Sequence, residues 1–480
     1  MKPLSGITVI ALEHAIAAPF CTRQLADQGA RVIKVERPGT GDFARGYDTR
    51  VKGLSSHFVW TNRSKESLAL DLKHAKAPEI MDRLLAQADV LVQNLAPGAA
   101  ARMGLSFEAL HEKYPRLIVC DISGYGDSGP YRDKKAYDLL IQSESGFLSV
   151  TGTPDEPAKA GCSIADIAAG MYAYSNVLTA LIQRGKTGLG RRIDVSMLES
   201  MAEWMSFPMY YAFDGASPPP RAGASHATIY PYGPFAAGDG KSVMLGLQNE
   251  REWAVFCDQV LRQPALAKDE RFDANARRSA ARAELRQIIE TEFGKLSAAQ
   301  VIARLEDAGI ANAQVNTMAD LWAHPQLAAR ARWTEVSTTA GPVPALLPPG
   351  TPDEAHVRMD PIPAVGQHGE AILRELGLSA DAIGGGLGDV AGRQRAARAE
   401  LVFDQHGLPQ RLAHGRGQRA RHDVGRAARG KGHHQRDRLG GIGLGGGDAA
   451  AKKQAGRQRG GGKDPAIEMH VHGSTSSFLK

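Results

Sequence analysis

The sequence predicts an α/β fold, with a Rossmann-like parallel-sheet large domain joined to a smaller α+β domain and followed by a disordered C-terminal tail. Three observations predict it. Short apolar, β-branched runs alternate with helical stretches through residues 1–213. A Pro/Gly-rich connector, DGASPPPRAG, interrupts the pattern at Asp214 to Gly223. After Ile383 the composition changes abruptly.

Taken in order, ITVIAL is a strand, followed by a helix from Pro19 to Gln28 and the strand RVIKVE. Next come the short strand LAL, a helix from Pro78 to Gln87, the strand DVLVQN, a short helix near Phe107 to Lys113 and the strand LIVCDIS. Strands that are apolar along most of their length need cover on both faces, which a parallel sheet sandwiched by helices supplies. The stretch GCSIADIAAGMYAYSNVLTALIQR is a long helix, and Ile167, Met171, Tyr174, Val177, Leu178 and Leu181 predict its buried face by their spacing. GKTGLGRRIDVSMLES adds a glycine turn, a strand and the start of another helix. Residues 1–213 are thus the N-terminal part of the large domain and 214–224 a linker. Residues 225–320 form the small domain, with helices at Glu252 to Leu261, Ala280 to Phe293 and Ala298 to Ala308 and a strand at Ala311 to Val315. Residues 321–383 return to the large domain and end in a helix from Gly369 to Leu376.

From residue 384 onward the chain carries 18 Lys and Arg against 8 Asp and Glu, whereas residues 1–383 carry 40 against 44, so the overall charge of +6 joins an acidic body to a basic tail. Residues 384–480 also hold 22 of the 53 glycines and no Trp, Tyr or Cys, which denies them a packed core. They read either as an anion-binding appendage or as the out-of-frame product of a GC-rich gene. With Phe403 and Phe478 as their only aromatic residues, they offer little for base stacking, which speaks against a nucleic-acid partner.

The cysteines Cys21, Cys120, Cys162 and Cys257 are far apart, which suggests neither a zinc site nor a redox pair and fits a reducing cytoplasm. No metal is implied. Glu13 and His14 interrupt the apolar opening GITVIALEHAIAAPF, which is poor for a signal peptide and too short to span a membrane.

Asp166, at the head of the long helix among small residues, is the leading candidate for chemistry. It reads as an ordinary N-cap or as a nucleophile, and in either role the helix N-terminus favours its ionised form. Cys162 lies close by as a weaker nucleophile candidate. GYGDSG (Gly124 to Gly129) matches a dinucleotide fingerprint after a strand, but it runs into Pro130 and a polar turn rather than a helix, so it reads as turn chemistry. GTGDFARG (Gly39 to Gly46) lacks the Lys-Ser/Thr of a P-loop, although Arg37 before it and Arg45 within it suit a phosphate-adjacent loop. Arg37, Lys73, Arg102 and Lys135 stand at strand ends and loop starts, where α/β sheets bind ligands. Each alone is a solvated charge; together they suit a ligand with several phosphates. Asn94 closes DVLVQN as a turn residue or a ligand contact, and Tyr137 with Asp138 lines the same cleft or begins the next helix.

Six ordered blocks carry a more specific signal: PLSGITVIALEHAIAAPFCTRQLADQGARVIKVERPGTGD, NRSKESLALDLK, ADVLVQNLAPGAAARMGL, GYGDSGPYRDKKAYD, ADIAAGMYAYSNVLTAL and TGLGRRIDVSMLESM. From Leu4 to about Ile383 the chain resembles the class III CoA-transferases, the CaiB/BaiF group that includes formyl-CoA and carnitine CoA-transferases, with α-methylacyl-CoA racemases as siblings. The resemblance implies that Asp166 is the nucleophile. It places coenzyme A contacts at His14, Ala17, Arg37, Lys73, Asn94, Leu95, Arg102, Met103, Lys135 and Tyr137. It also implies an interlocked ring-like homodimer and no permanently bound cofactor, with an acyl-CoA thioester and a small carboxylic acid as substrates. Two departures stand out: Ile16 replaces a glutamine that contacts the acyl group, and ASHATIYPYGPF replaces a glycine-rich loop. Racemases of this superfamily use a His-Asp pair where this chain has Tyr137 before Asp138. An unperturbed tyrosine, ionising at about 10, is a poor base for an α-proton, which favours transfer over racemisation. The donor suggested is succinyl-CoA and the acceptor itaconate, mesaconate or a related dicarboxylate, with Arg45, Arg50, Arg63, His226 and Tyr230 as candidate partners for its carboxylates.

Overall fold

The computed structural model describes residues 1–351 and 354–378; the basic tail lies outside the described residues. Six parallel strands form the main sheet: β1 (Thr8–Leu12), β2 (Arg31–Glu36), β3 (Lys65–Ala69), β4 (Val90–Gln93), β5 (Ile118–Ser123) and β6 (Arg192–Ser196). Their order is β3-β2-β1-β4-β5-β6. The register runs Val9 beside Val32 on one flank of β1 and Val9 beside Val90 on the other. Alternation along the strands fills two cores. Val9, Ala11, Val32, Val90 and Val92 face one layer, with the Ala17–Asp27 and Ile164–Thr187 helices, while Ile10, Leu12, Ile33, Val35 and Leu91 face the other. The second layer holds the Ala77–Leu85 and Phe107–Lys113 helices and receives the Gly369–Glu375 helix through Ile372 and Leu373. Apolar strands covered on both faces follow from this arrangement.

A separate antiparallel sheet, β7 (Tyr232–Ala236), β8 (Ser242–Gly246) and β9 (Ala311–Gln314), packs against the Arg282–Phe293 and Ala298–Asp307 helices around Trp253, Phe235, Phe256 and Phe293. A hairpin of β10 (Trp333–Val336) and β11 (Val343–Leu346) was not expected from sequence. Pro344 is tolerated there because a two-stranded sheet has only edge strands.

Several sequence expectations need correction. The Glu252 to Leu261 helix divides into Glu250–Val255 and a widened turn, Phe256–Val260. The Ala280 to Phe293 helix starts at Arg282, and a separate short helix, Asn275–Ala280, precedes it, where buried Arg278 bonds the Tyr230 and Phe272 carbonyls and Glu250. The strand read as LAL begins earlier, at Lys65, because a buried carboxylate neutralises that lysine. On the Ile164–Thr187 helix the buried face is a stripe of small residues, Ala165, Ala168, Ala169, Gly170, Ala173, Val177 and Ala180, while Met171 is exposed. Small residues win that face because the Ala17–Asp27 helix approaches closely: a Cβ at Gly170 would lie 2.7 Å from the Ala17 carbonyl oxygen.

Candidate active site

The sheet order reverses direction between β1 and β4, and in such folds ligands bind in the crevice beyond the strands' C-terminal ends at that point. His14 follows β1 and Asn94 follows β4. Asn94 Oδ1 accepts the His14 backbone N–H at 3.0 Å and lies 3.1 Å from His14 Nδ1, while Asn94 Nδ2 donates to the His14 carbonyl at 2.9 Å. Leu95 donates its N–H to Gln93 Oε1 at 2.7 Å, which fixes the next residue of the same loop. Burial pushes the His14 imidazole below its ordinary range, opposed by Asp42 and reinforced by Lys34 and Arg37.

Between β1 and the Ala17–Asp27 helix the chain makes a tight turn in which Ala15 has φ of 61°. Ile16 occupies the N-cap without a side-chain bond, so the helix's leading N–H groups take partners elsewhere. One of them, Ala17 N–H, lies on the side of Asp166 and favours its ionised form, and the Ala17 carbonyl sits against Gly170, one helical turn beyond Asp166.

Asp166 lies in the first turn of its helix, not at the cap; Ser163 has the cap position and makes no side-chain bond there. Asp138 does the capping from a distant segment, accepting Ala165 N–H at 2.8 Å and Gln142 Nε2 at 2.6 Å. The expectation that helix polarity keeps Asp166 ionised is also overturned. Burial, aided by the Asp138 charge, raises its carboxyl to about 7, with the Ala17 N–H pulling the other way. Desolvation outweighs the helix dipole because the carboxylate loses water on most sides. A carboxylate half-protonated near neutrality is more basic than a free one, and so more nucleophilic once ionised. Cys162, four residues earlier, is an exposed free thiol.

Sequence reasoning missed Tyr47. Burial raises its phenol to about 12, with further contributions from the charges of Asp42 and Asp166 and from Tyr137, so its hydroxyl stays protonated. The available signal was position: Tyr47 follows GTGDFARG directly. Its ring stands edge-on to His57 at 5.4 Å and tilted to Phe43 at 5.7 Å, and Phe43 in turn meets the His14 ring at 4.7 Å. These rings form a continuous aromatic rim from the strand crevice toward Asp166.

Arg37, Lys73, Arg102 and Lys135 are exposed beyond the C-terminal ends of β2, β3, β4 and β5, Arg102 at the end of the short Ala99–Arg102 helix and the others on loops, with Met103 after Arg102 and Tyr137 close to Lys135 in sequence. Among the described residues none of these four cations is paired with a carboxylate.

The proposed acceptor contacts fare differently. Arg45 is committed to Glu36, with Nε and Nη2 at 2.8 and 2.7 Å from its two oxygens, and packs over Phe58. Arg63 makes the same two-pronged contact with buried Asp27. Tyr230 is 1 % exposed in the core of the antiparallel sheet. The His226 ring stacks on Tyr232, and its Nδ1 accepts the Thr228 and Ile229 N–H groups. Arg45, Arg63 and His226 are already engaged internally and are not offered to a ligand, and Tyr230, whose hydroxyl has no hydrogen-bond partner, is withheld by its burial. Arg50 alone of the five is exposed.

No cluster of His, Cys, Asp or Glu suited to a metal ion occurs among the described residues, and no described helix is long and apolar enough to cross a membrane. Residues 4–369 match the model of CoA-transferase family III. The chain belongs to that family. This CoA-transferase is 36 % identical over 385 residues to the succinate–glutarate CoA-transferase of Agrobacterium fabrum, covering 78 % of this chain and 96 % of the relative. It is 33 % identical over 382 residues to the succinyl-CoA:glutarate CoA-transferase of Homo sapiens, covering 78 % and 86 %. A CaiB/BaiF family protein from Brucella suis has a similar solved structure, with a TM-score of 0.69, 34 % identity and coverage of 78 % of this chain and 99 % of that one.

Proposed function

We propose that this CoA-transferase moves coenzyme A from succinyl-CoA to a short dicarboxylate, with Asp166 as the covalent carrier. The observation that carries the reading is the first turn of the Ile164–Thr187 helix, with Asp166, packed beside the N-terminus of the Ala17–Asp27 helix, where Gly170 abuts the Ala17 carbonyl and the Ala17 N–H favours the ionised carboxylate. Asp166 attacks the thioester carbonyl, the C–S bond breaks, and a mixed anhydride and CoA thiolate result. The thiolate attacks the aspartyl carbonyl, expelling succinate and leaving an Asp166 thioester. The acceptor carboxylate opens that thioester to a new anhydride, which the returning thiolate resolves to the product thioester and free Asp166. The two middle additions, of thiolate and then of acceptor carboxylate to the aspartyl carbonyl, place negative charge on the Asp166 carbonyl oxygen, where helix N–H groups stabilise it. Exclusion of water matters throughout, because hydrolysis of the anhydride would waste the thioester.

His14, Ala17, Asn94 and Leu95 at the strand crevice, with Arg37, Lys73, Arg102, Met103, Lys135 and Tyr137 around its rim, bind the coenzyme. Unpaired cations on several loops suit its phosphates. The relatives named for glutarate, together with a succinyl-CoA:mesaconate CoA-transferase of Haloarcula hispanica, support a dicarboxylate acceptor. Glutarate, mesaconate and itaconate are the acids to try first. Arg50 and the Tyr47 hydroxyl stand available for the acceptor where Arg45, Arg63, His226 and Tyr230 do not. Exposed Phe207, Met209, Tyr210 and Phe213 support burial against a second copy, the homodimer being the assembly proposed. Free cysteines support a reducing, cytoplasmic setting.

Succinyl-CoA assayed with a panel of mono- and dicarboxylates tests the substrate reading, and activity confined to monocarboxylates rejects it. Hydroxylamine added during turnover converts an acylated Asp166 to a hydroxamate, read by peptide mass spectrometry; unmodified Asp166 in an enzyme inactivated by the reagent rejects the carrier.

A further inference from the structure

Beneath the crevice lies a cluster of ionisable groups that the transfer steps do not use. Glu13, Lys34, Asp42 and Lys65 have fully buried side chains. Lys34 Nζ lies 2.8 Å from Asp42 Oδ2 and 3.2 Å from Glu13 Oε1, and Lys65 Nζ is 2.6 Å from the same Glu13 oxygen. Thr22 and Asn62 complete the set through Glu13 and Lys65. Burying these charges is costly, and replacement by apolar groups is often neutral or better for stability, so the arrangement calls for a role besides holding the fold.

Its geometry supplies one. Asp42 Oδ1 accepts the backbone N–H of Ala15 at 3.1 Å as well as that of Ala44 at 2.9 Å. Ala15 is the residue held at φ of 61°, a left-handed conformation that a non-glycine residue adopts only under constraint. Glu13, two residues earlier, is anchored by both lysines, so the turn from β1 to the helix is clamped at two points. Two residues after Ala15, Ala17 packs against Gly170, one helical turn beyond Asp166, with its N–H on the Asp166 side. We infer that Asp42 is a positioning residue that acts through the Ala15 turn to aim the Ala17 N–H at the Asp166 carboxylate. Lys34 holds Asp42 in place for that task.

The inference deepens the proposed function and rests on it for its catalytic consequence, but its geometric content does not. The groups that act on Asp166 are the Asp138 carboxylate, which favours the protonated form, and the Ala17 N–H. Of these the Ala17 N–H is the one that favours the ionised form, and it is the one controlled by the Ala15 turn. Loosening the turn therefore drives Asp166 further toward protonation.

Two variants test this. Asp42→Asn removes one of the two carboxylate oxygens that serve Ala15, Ala44 and Lys34. Ala15→Val leaves every buried charge intact but places a β-branched residue where φ is positive. Infrared difference titration of the free enzyme, with Asp166→Asn as the subtraction, reads the protonation of Asp166 itself. Both variants are expected to titrate Asp166 at higher pH than the parent, to move the acid limb of kcat/KM the same way, and to lower kcat by about tenfold while KM for the acyl-CoA stays within about twofold. A folded variant whose Asp166 titrates at the parent pH overturns the inference; if Asp42→Asn does not fold, Ala15→Val decides alone. An infrared shift in an enzyme that remains active as Asp166→Asn retains the positioning role and rejects the nucleophile, so the two failures are distinguishable.

Discussion

Two sets of charges meet at the same end of the parallel sheet and behave in opposite ways. Glu13, Lys34, Asp42 and Lys65 are wholly buried and bonded to one another. Arg37, Lys73, Arg102 and Lys135 are exposed, on the segments that follow β2, β3, β4 and β5. Lys34 and Arg37 are three positions apart, yet one is locked in the interior and the other faces solvent. The difference teaches that charge in a crevice has two separate uses. Desolvated, paired charges fix backbone geometry because any rearrangement strands an ion without water. Hydrated, unpaired charges attract a polyanion at little cost to the fold.

The contrast breaks most readily at Asp166, which belongs to neither set. Asp166→Asn is expected to lower kcat by roughly a thousandfold or more while acyl-CoA still binds, as measured by turnover assay and calorimetry. The parent enzyme's kcat/KM is expected to fall with acid below a pH of about 7, where the carboxyl takes up its proton. The same substitution should stabilise the folded chain at high pH. The folded-state pKa of Asp166 is raised above the ordinary 3.8, so the native state binds a proton that the unfolded chain has lost between that value and about 7. The ionised carboxylate therefore costs stability above about pH 7, and the cost fades as pH falls toward 3.8. Chemical denaturation is expected to show Asp166→Asn more stable by on the order of 1–3 kcal/mol at pH 8 and indistinguishable near pH 4.

Lys34→Met tests the buried set directly. It leaves Asp42 without its lysine and Glu13 with only Lys65, so a loss of about 3–5 kcal/mol is expected in urea unfolding, and a loss below about 1 kcal/mol would contradict the clamp. Lys73→Met, on the exposed set, should change stability by no more than about 0.5 kcal/mol. A packing control falls between them. Gly170→Ala presses a methyl group against the Ala17 carbonyl and is expected to cost about 1–3 kcal/mol in the same assay, with a drop in kcat because the two helices that bring Ala17 to Asp166 are forced apart. The smallest effects belong to the rim: Arg37→Ala and Lys135→Ala should each raise KM for the acyl-CoA by about three- to tenfold, leave kcat near the parent, and weaken its salt dependence. An unchanged KM in both would remove the phosphate role from these loops.

Much of the large sheet was legible because consecutive apolar, β-branched residues such as those of ITVIAL and RVIKVE have few other folded outcomes. The long helix was legible in extent and partly in orientation. Val177 is buried and Tyr174, Leu178 and Leu181 pack against the same core, as their spacing suggested, whereas Met171 is exposed and alanines line the stripe where the neighbouring helix comes closest. Arg45 and Arg63 looked like ligand contacts since their carboxylate partners, Glu36 and Asp27, lie on separate elements that sequence spacing does not join. Asp166 was legible as a residue and illegible as an acid: the helix end argued for ionisation, and burial beside Asp138 decided otherwise.

Sequence alone determined the alternation of strand and helix, the family resemblance, and which aspartate to watch, because periodicity and ordered motifs survive in a linear string. Tertiary structure alone decided which charges are buried and paired, which residues line the closest helix contact, and that Ala17 packs beside the turn that carries Asp166. Those outcomes depend on desolvation and on contacts between residues distant in the chain, and neither quantity is written in local order.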